Sequence, residues 1–559
     1  MLARVRSFLQ QGIEPRVCDV EVDLSPGLPK TTVVGLPDAA VKESVERVRS
    51  AVVNSGYPFP AARLLINLAP ADLRKEGPVY DLPIAIGLLM ASRTDGLTPA
   101  ALWDDPANPA GPLEARPPTA TDPASADRAT PHAAPPQCLI AGELALDGQV
   151  RPIHGAINLA VLAKRTGVPA VLVPQENAEE ANAVGGVRVH PVARLLDAVL
   201  HLTGDKPIAP LPPVAANAPV ETAPAEVDFA EVRGQQAVKR ALVIAAAGMH
   251  NILMIGPAGS GKSLCAKALP GILPPMARQE ALEVTRIWSA AGKGPHRSAL
   301  VRQRPVRSPH HTASSAAVIG GGINPRPGEV SLAHHGVLFL DEMPEFPRAV
   351  LETLRQPLED GVVTIARAQA TVRLPARFLL VGALNPTPRG DMPADGYGQK
   401  QMQRYLERLS GPLIDRVDLH VEVSAVPYEK LSGKPDGTST ADMRAQVAQG
   451  RAVQAKRNPP EAPADHRPGQ PGETAEAITE PQGKPNSRLR GKELDRLAPL
   501  DAPAQALLKQ AVTELGLSAR AYDKVRRVSR TIADLAGREH ITAGDVAEAV
   551  SYRLLDRTL

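Results

Sequence analysis

The stretch from Gly256 to Ser263 contains the residues whose types and spacing point most directly to chemistry. It matches the pattern Gly-x-x-x-x-Gly-Lys-Ser/Thr of a phosphate-binding P-loop, with Gly256, Pro257, Ala258, Gly259, Ser260, Gly261, Lys262 and Ser263. Glycines let successive backbone N–H groups turn toward an anion, and a helix that starts here directs its positive end at phosphate. Lys262 would reach the β- and γ-phosphates, and the Ser263 hydroxyl would bind Mg2+. The stretch therefore predicts a site for a nucleoside triphosphate.

The residues around this loop match the strand and helix that a P-loop connects. The apolar run 252–255 leads directly into it and suits a strand buried on both faces. Residues 264–269 can continue as a helix until Pro270 and Gly271 end it. A glycine-rich turn that matched by chance would lack these flanks, so we disfavour that alternative.

A second segment, VLFLDEMPE at 337–345, supplies carboxylates for the same site. Its apolar residues predict another buried strand, which ends at Asp341 and Glu342. The first carboxylate can bind Mg2+ through water, and the second can orient or deprotonate the attacking water. An apolar run followed by Asp-Glu is a weak signal alone, but downstream of a P-loop it is typical of a Walker B strand.

Further polar residues follow at positions that could complete the constellation. The apolar run 378–384 predicts a third strand that ends at Asn385, whose side chain could hold the attacking water from the opposite side. Arg416 lies in SGPLIDRVDLHVEV, and Arg520 lies near the start of a helix that Ser518 can cap. An ordinary surface ion pair is the alternative role for each arginine.

Together these motifs resemble those of AAA+ ATPases. The resemblance implies an α/β core with a parallel sheet that binds ATP and Mg2+, with Glu342 and Asn385 as catalytic residues. It also implies that Arg416 reaches the γ-phosphate of a neighbouring subunit and that Arg520 is a lid arginine contacting nucleotide. Because the charge on the phosphoryl oxygens needs that cation, a monomer should hydrolyse ATP poorly. A homo-oligomeric ring, most simply a hexamer, follows from the resemblance.

Two unusual segments suggest what such a motor acts on. A long interval precedes the Walker B strand, and after that strand the runs 362–365 and 370–374 predict a β-hairpin carrying Arg367 and Arg373. Insertions at these places are similar to those of the AAA+ branch that contains magnesium chelatase and the MCM helicases, where hairpins line a central pore. Positive side chains there would follow a nucleic acid backbone without reading its sequence. Internal ion pairs are the alternative.

The N-terminal region resembles the α+β proteolytic domain of Lon in VVGLPDAAVKESVERVRSAVVNSGY, INLAPADLRKEGPVYDLPIAIG and IAGELALDGQVRPIHGA. Lon proteases use a Ser–Lys dyad, and here Val79 follows Gly77-Pro78 while Ile157 takes the lysine position. Neither side chain can act as a nucleophile or a base. We therefore expect a domain for assembly or partner contact. Nearby polar residues are expected to be structural or solvated: Asp72, Lys75 and Asp81.

Proline-rich stretches mark the predicted boundaries. The domains are expected at 1–205 (Lon-protease-like, with a disordered insertion at 104–136), 206–226 (linker), 227–425 (ATPase core) and 426–559 (C-terminal helical lid, with a flexible insertion at 458–485). A lead-in helix within 227–250 is expected to bury Ala237, Leu242 and Ala245 on one face and to point Lys239 and Arg240 outward.

The composition mainly excludes certain classes of protein and certain kinds of site. A formal charge of +3 over 559 residues gives no global signal for nucleic acid, so any basic surface must be local. Cys18, Cys138 and Cys265 are far apart, which argues against a disulfide framework or a zinc site. The histidine pairs at 310–311 and 334–335 lack a ligand cluster at metal spacing, so we expect packing or hydrogen bonding there. No run is long and apolar enough for a membrane span or signal peptide, so we expect a cytoplasmic protein.

The combination of a Lon-like region, this ATPase core and a helical lid resembles the ComM/YifB family, known as magnesium chelatase-like competence proteins; RSPHHTASSAAVIGGG and LSARAY carry the likeness. It implies a hexameric DNA helicase that promotes branch migration during natural transformation and homologous recombination. Single-stranded or branched DNA and recombination proteins would be its partners. The alternatives are a chelatase motor subunit that drives metal insertion into a tetrapyrrole, and an ATP-dependent protease, which Val79 and Ile157 disfavour. One departure is the absence of the cysteines that relatives carry just after the residue equivalent to Asn385.

Overall fold

The computed structural model describes residues 1–92, 137–214, 227–294, 299–322, 325–367, 370–387, 402–403, 405–425, 438–459, 483–553 and 555. The predicted insertion at 104–136, most of the predicted insertion at 458–485 and the linker residues 215–226 lie outside these ranges. The chain forms two compact units, one of residues 1–218 and 285–301 and the other of residues 219–284 and 302–559.

The first unit combines two sheets with helices. Its elements are β1 (Leu2–Gln11), β2 (Glu14–Ser25), β3 (Lys30–Val34), α1 (Ala39–Asn54), β4 (Arg63–Ala69), α2 (Asp81–Ala91), β5 (Cys138–Ile140), β6 (Glu143–Leu144), β7 (Val150–Arg151), α3 (Ala156–Thr166), β8 (Ala170–Pro174), α4 (Ala178–Asn182), β9 (Arg188–Val192) and α5 (Leu195–Thr203). One sheet has the order β1-β2-β4-β3, and a parallel sheet has the order β5-β8-β9. A short hairpin pairs β6 with β7.

Local sequence patterns explain these elements. Alternation in β2 buries Val20 and Val22 on one face. Asp38 caps α1 by accepting a hydrogen bond from the Val41 backbone N–H at 2.7 Å. α2 is apolar all round and accordingly buried along its whole length.

The polar residues near the Lon-like motif have structural roles. Asp81 is fully buried, and its carboxylate accepts hydrogen bonds from Arg47 Nε at 2.9 Å and the Leu144 backbone N–H at 3.2 Å. Lys75 is also fully buried and donates to the Pro70 carbonyl. Ile157 lies inside α3 with no exposed surface. The structural role expected for Asp81 and Lys75 is confirmed.

The first part of the predicted linker packs on this unit. The Leu211 backbone N–H donates to the Val189 carbonyl at 2.9 Å, and Asn182 Nδ2 donates to the Pro212 carbonyl at 2.9 Å. The backbone of Ile208 lies between two buried histidines, because its carbonyl contacts His190 Nδ1 and its N–H donates to His201 Nδ1. Residues 206–214 are therefore bound to the unit that precedes them.

The second unit begins with α6 (Gln236–Gly248), β10 (Ile252–Ile255), α7 (Lys262–Ala268), α8 (Arg278–Ala290, of which the residues from Thr285 group with the first unit), β11 (Val306–Arg307), α9 (Ser315–Ile319), β12 (Gly320–Gly321), β13 (Arg326–Pro327), α10 (Glu329–Leu332) and β14 (Val337–Leu340). It continues with α11 (Arg348–Thr353), α12 (Arg355–Asp360), β15 (Val362–Arg367), β16 (Ala370–Pro375), β17 (Leu379–Leu384), α13 (Gly411–Ile414) and β18 (Leu419–Glu422). The C-terminal helices are α14 (Thr440–Arg457), α15 (Lys492–Leu497), α16 (Ala502–Leu515), α17 (Ala519–Leu535) and α18 (Ala543–Ser551).

A parallel sheet organises the second unit. Its order is β11-β14-β17-β10-β18, and every neighbouring pair is parallel. The strands β10, β14 and β17 are buried on both faces, which explains their continuous apolar runs. Because parallel strands end at the same edge, the residues that follow them are brought together. The expected mixed α/β core with a parallel sheet is observed, and the predicted hairpin is confirmed as β15–β16.

The lead-in helix differs from its prediction. Lys239 is buried rather than outward-facing, with Nζ donating to the Phe229 carbonyl at 2.9 Å, and Ala237 is exposed rather than buried. Leu242 and Ala245 are buried as expected. The burial of Lys239 has a tertiary reason, because α14 and α17 pack against α6 and the Phe229 carbonyl accepts a hydrogen bond from the ammonium group.

None of the helices formed by the described residues is long and apolar enough to cross a membrane.

Candidate nucleotide site

The P-loop connects β10 to α7 with a backbone that only glycine adopts freely. Gly259 and Gly261 have φ of +75° and +93°, and a side chain at either position would meet no atom within 4 Å. A side chain on Gly256 would instead lie 2.1 Å from the Val423 carbonyl oxygen. The loop thus forms an open cradle on one side and packs tightly on the other.

Lys262 is held at this cradle by oxygen atoms. Its Nζ donates to the Gly256 and Pro257 carbonyls, each at 2.7 Å, and to Asn385 Oδ1 at 3.1 Å. Burial lowers the pKa of Lys262, and the nearby Asp341 carboxylate partly offsets that effect. The ammonium group of Lys262 therefore lies among oxygen acceptors that phosphate oxygens could replace. One of these acceptors is the side chain of Asn385, which follows β17.

Ser263 and Asp341 meet as a magnesium site requires. Ser263 Oγ donates to Asp341 Oδ2 at 2.8 Å, although the two residues are far apart in sequence. Hydroxyl and carboxylate oxygens are the donors that Mg2+ prefers. The pair therefore fits the metal that the sequence assigned to it.

Glu342 follows Asp341 in an unusual conformation. Its φ is +49°, in the left-handed region, and its side chain is 51% exposed. His311 Nδ1 lies 3.6 Å from its Oε2. Sequence reasoning did not connect His311 with Glu342. The contact follows from the tertiary structure, in which β11, the strand before His311, pairs in parallel with β14, the strand before Glu342.

Arg416 is folded back onto its own chain. One terminal nitrogen of its guanidinium donates to the Pro412 carbonyl at 2.7 Å, and the other donates to the Glu359 carboxylate. Only 12% of its side chain is exposed. Burial opposes ionisation of Glu359, but the Arg416 guanidinium brings the pKa of that carboxyl below its usual range.

Arg416 and Arg520 line the same cavity, which has a volume of about 620 Å3. It is rich in cations, with lining residues that include Arg377, Arg416, Lys484, Arg488, Arg490, Arg520, Lys524 and Arg527. Among the described residues, its lining comes from α12, α17 and neighbouring loops and includes no residue of the P-loop. The predicted site residues thus fall into two groups, one around Lys262 and Asp341 and the other around this cavity.

The second histidine pair contacts carboxylates that sequence reasoning missed. His334 Nε2 and His335 Nε2 lie 3.0 and 2.9 Å from Glu283 Oε2, so these residues have the composition of a metal site. However, His334 Nδ1 accepts the Arg377 backbone N–H at 3.0 Å, which keeps the ring proton on Nε2. A metal bound at Nε2 would require the ring proton to lie on Nδ1, where it would face the Arg377 backbone N–H, so two donors would oppose each other. Hydrogen bonding is therefore favoured, and burial lowers the pKa of His334 to about 3.

Comparison with known families gives matches along the chain. The family described as magnesium chelatase, subunit ChlI, matches residues 228–431. Its C-terminal family matches residues 437–553, and the family described as subunit ChlI of Mg-chelatase matches residues 20–101 and 125–177. The residues around the P-loop, Asp341 and Asn385 all lie within the first of these matches.

Individual relatives resolve the family further. Competence protein ComM of Haemophilus influenzae is 40% identical, with the match covering 100% of this chain and 98% of the relative. The chain belongs to the ComM/YifB family. YifB of Escherichia coli, an uncharacterized protein, is 39% identical over 100% of this chain and 98% of its own. The magnesium-chelatase 38 kDa subunit of Rhodobacter capsulatus is 28% identical over only 35% of this chain and 55% of its own. Membership of the ComM/YifB family, with its magnesium chelatase-like core, implies an ATPase that uses nucleotide and Mg2+.

Proposed function

We propose that this protein is an ATP-dependent DNA motor, a ring-forming helicase that promotes branch migration during natural transformation and homologous recombination. The observation that carries the proposal is the separation of the site residues into two groups. Lys262, Asp341 and Asn385 meet at the sheet edge, whereas Arg416 and Arg520 line a different cavity. A site divided in this way is completed when a second copy brings its arginines to the phosphates.

Each residue of the P-loop half has a distinct role. The loop of residues 256–263 cradles the phosphates, and Lys262 neutralises charge on the β- and γ-phosphates. Ser263 and Asp341 would hold Mg2+, which would neutralise negative charge on the phosphates. Glu342 orients the attacking water and accepts its proton, and Asn385 holds that water from β17.

The second group of site residues, Arg416 and Arg520, would bring further positive charge to the phosphates bound at the P-loop of a neighbouring copy. Charge on the transferred phosphoryl group is stabilised by a guanidinium held outside water, and Arg416 is the candidate for that group. Arg520, at the start of α17, lines the same cavity and would contact the same nucleotide. Hydrolysis would then require assembly into a homo-oligomeric ring, and we propose a hexamer.

The β15–β16 hairpin is the proposed contact with DNA. Arg367 and Arg373 are both exposed on it. Exposed guanidinium groups on a two-stranded ribbon can follow a phosphate backbone of single-stranded or branched DNA irrespective of sequence. Recombination proteins are the further partners that this function would need, and the cytoplasm is where it would operate.

The remaining regions receive roles consistent with this proposal. We propose that residues 1–205 form a Lon-like domain without the Ser–Lys dyad that serves assembly. Of the linker predicted at 206–226, residues 206–214 pack on the first unit, and the remainder would lead to the ATPase core at 227–425. Residues 426–559 would form the helical lid. A chelatase motor is the competing function, but the similarity to ComM covers the whole chain, whereas that to the chelatase subunit covers about a third.

The deciding experiment measures ATP turnover by the full chain with single-stranded, duplex and branched DNA at several salt concentrations. We expect turnover to rise with DNA and the effect to weaken as salt increases, because phosphate contacts release counterions. If DNA leaves turnover unchanged while a chelatase partner subunit with its porphyrin raises it, the chelatase function is correct instead.

A further inference from the structure

Asn251 lies at the end of β10 opposite the P-loop. It directly precedes β10, and the last residue of that strand, Ile255, leads into Gly256. Since β10 has four residues, it spans about 13 Å. The side chain of Asn251 therefore lies too far from the P-loop of its own chain to touch phosphates bound there. Its partners belong instead to β17 and to the loop before β18, the two strands that run parallel to β10 on either side.

Both ends of the Asn251 side-chain amide bond to backbone groups. Oδ1 accepts the Leu380 backbone N–H at 2.9 Å, and Nδ2 donates to the Arg416 carbonyl at 3.2 Å. Leu380 belongs to the buried strand β17, whereas Arg416 lies in the loop between α13 and β18. One partner needs an acceptor and the other a donor, and an amide supplies both. The side chain of Asn251 therefore ties the residue that carries the guanidinium to the central sheet.

The backbone of Asn251 holds the end of the same loop. Its carbonyl accepts the Asp418 backbone N–H and its N–H donates to Asp418 Oδ2, each at 2.9 Å. Asp418 Oδ1 lies 2.6 Å from Lys524 Nζ on α17. Arg520 precedes Lys524 by about one turn of that helix. The contacts of Asn251 and Asp418 thus connect the loop of Arg416 with the helix that carries Arg520.

Among the described residues, the other hydrogen bonds of Arg416 go to α12 and α13 rather than to the sheet. Its backbone N–H donates to the Leu413 carbonyl at 2.9 Å, and its guanidinium donates to the Pro412 carbonyl at 2.7 Å. Its third partner is the Glu359 carboxylate, on a side chain that is 45% exposed. A guanidinium that must meet a phosphate on another copy depends on a fixed backbone, because a displacement of about 1 Å can cost about a hundredfold in rate.

We propose that Asn251 is a positioning residue that fixes the backbone of Arg416, so that its guanidinium can reach the nucleotide bound by a neighbouring copy. This role deepens the proposed function and rests on it for the part that Arg416 plays. Asn251 itself contacts no nucleotide. Its effect on hydrolysis belongs to the site of the neighbour, although Asn251 directly precedes the strand that leads to its own P-loop.

Asn251→Asp in the full chain tests the tether between the sheet and Arg416. The variant keeps an acceptor for the Leu380 N–H, but an oxygen replaces the amide nitrogen that donates to the Arg416 carbonyl, and the two oxygens repel each other. We expect kcat for ATP to fall about tenfold while KM stays within about twofold, because the P-loop that binds the nucleotide is unchanged. Asn251→Ala, which adds no charge, should lower kcat about threefold or more.

Phenylglyoxal, a reagent for accessible arginine side chains, reports the position of Arg416 directly. The Arg416 side chain is 12% exposed, and Asn251→Asp should speed its modification about threefold or more, as followed by mass spectrometry of peptides. Asn182→Asp is the matched control, because it removes an amide donor from a backbone carbonyl, that of Pro212, in the first unit. This control should change neither kcat nor the rate at Arg416.

Mixing variants decides whose site Asn251 serves. A mixture of Asn251→Asp with Lys262→Ala should hydrolyse more ATP than the mean of the two proteins alone, because Lys262→Ala lends an intact Arg416 to the intact P-loop of its neighbour. A mixture with Arg416→Ala should show no gain, because neither protein offers an ordered arginine. A gain with Arg416→Ala instead would place the defect in the P-loop of the same chain and overturn the proposal.

The remaining outcomes separate the role of Asn251 from the proposed function. A kcat for Asn251→Asp within twofold of the unchanged protein, or no gain with either partner while Lys262→Ala and Arg416→Ala rescue each other, would overturn the positioning role. If those two partners do not rescue each other, the shared site of the proposed function fails, and with it the service to a neighbour. The rate at Arg416 then still decides whether Asn251 fixes that arginine: faster modification supports it, and an unchanged rate overturns it.

Discussion

At the residue scale, the candidate site consists of side chains that local motifs identify and of contacts that they do not. Lys262, Ser263 and Asp341 follow from pattern and spacing, because a P-loop and a Walker B strand are continuous stretches of chain. The contact of Arg416 with Glu359 joins residues more than fifty positions apart, and no local pattern signals it. The sequence therefore identified Arg416 as a candidate but did not identify Glu359, the carboxylate that pairs with it.

Replacing Glu342 with Gln tests the central chemical assignment. The amide keeps the shape of the side chain but cannot accept a proton, so ATP should bind normally while turnover falls by at least a hundredfold. Fluorescent nucleotide binding and phosphate release would measure the two properties. Asp341→Asn is the comparison, since it should also weaken Mg2+-dependent binding. Turnover retained by the Gln variant would exclude Glu342 from catalysis.

Replacing Glu359 with Gln tests whether its ion pair restrains Arg416. The carboxylate competes with a neighbour's phosphate for the same guanidinium, and because the Glu359 side chain is 45% exposed the pair is worth about 1 kcal/mol or less. We therefore expect turnover at low protein concentration to rise about two- to fivefold. Glu352→Gln, which removes a carboxylate paired with Arg355 instead, is the matched control. A decrease in the Glu359 variant alone would mean that the pair orients Arg416 rather than restrains it.

At the scale of elements, the strands and hairpin were predictable because their patterns are local. The predicted runs became β10, β14, β17 and the β15–β16 hairpin with boundaries close to those expected. The lead-in helix α6 was predicted to exist, with Leu242 and Ala245 buried as observed, but Lys239 was wrongly predicted to point outward and Ala237 to be buried. Which face of a helix is buried depends on all its neighbours, and a single segment does not specify them.

The hairpin prediction concerns its exposed arginines. Arg367→Ala and Arg373→Ala should each reduce DNA-stimulated turnover and lower the slope of log binding constant against log salt by about one, as loss of one phosphate contact requires. Basal turnover should change little. Binding to labelled single-stranded DNA across a salt series measures the slope. Arg151→Ala removes an exposed arginine that pairs with Glu143 in the first unit and should leave the slope unchanged.

A second prediction at this scale concerns the ion pair that ties α17 to β18. Asp418 Oδ1 lies 2.6 Å from Lys524 Nζ, and its Oδ2 accepts the Asn251 backbone N–H at 2.9 Å. Burial opposes ionisation of Asp418, but Lys524 and then His250 bring its pKa well below the usual range. Asp418→Asn leaves a buried ammonium unpaired and should cost about 3–5 kcal/mol.

Thermal unfolding of the Asp418→Asn variant, compared with Asp523→Asn as the control, would measure the loss of folding free energy. Asp523→Asn, at a carboxylate that is 40% exposed and 3.8 Å from Arg527, should cost less than about 1 kcal/mol. If the Asp418 and Asp523 variants melt at the same temperature, the buried pair does not stabilise this unit.

At the scale of the whole molecule, the proposed enzyme depends on more than one copy of the chain. The two groups of site residues both belong to the second unit, and in the described part of the chain they line different surfaces. Family resemblance predicted such sharing, but neither composition nor periodicity did. The number of copies in the ring is likewise a proposal that rests on the resemblance.

Mixing two inactive variants tests the sharing directly. Lys262→Ala removes nucleotide binding, and Arg416→Ala removes the proposed cation, so each protein alone should be nearly inactive. A mixture contains interfaces with an intact P-loop on one side and an intact arginine on the other, so some hydrolysis should return. Mixing Lys262→Ala with Asp341→Ala, which damage the same half, is the control. No recovery in the first mixture would contradict a role for Arg416 in a neighbouring copy.

The sequence by itself was enough to predict a site for nucleotide and Mg2+. The P-loop and the Walker B carboxylates each lie in one continuous motif, and their residue types determine what they can bind. The sequence also determined the family. Only the tertiary structure decided which distant groups meet: Asn385 with Lys262, Glu359 with Arg416, His311 with Glu342 and Glu283 with His334. The physical reason is that these contacts arise where parallel strands end and helices cross, and such meetings depend on the packing of the whole unit.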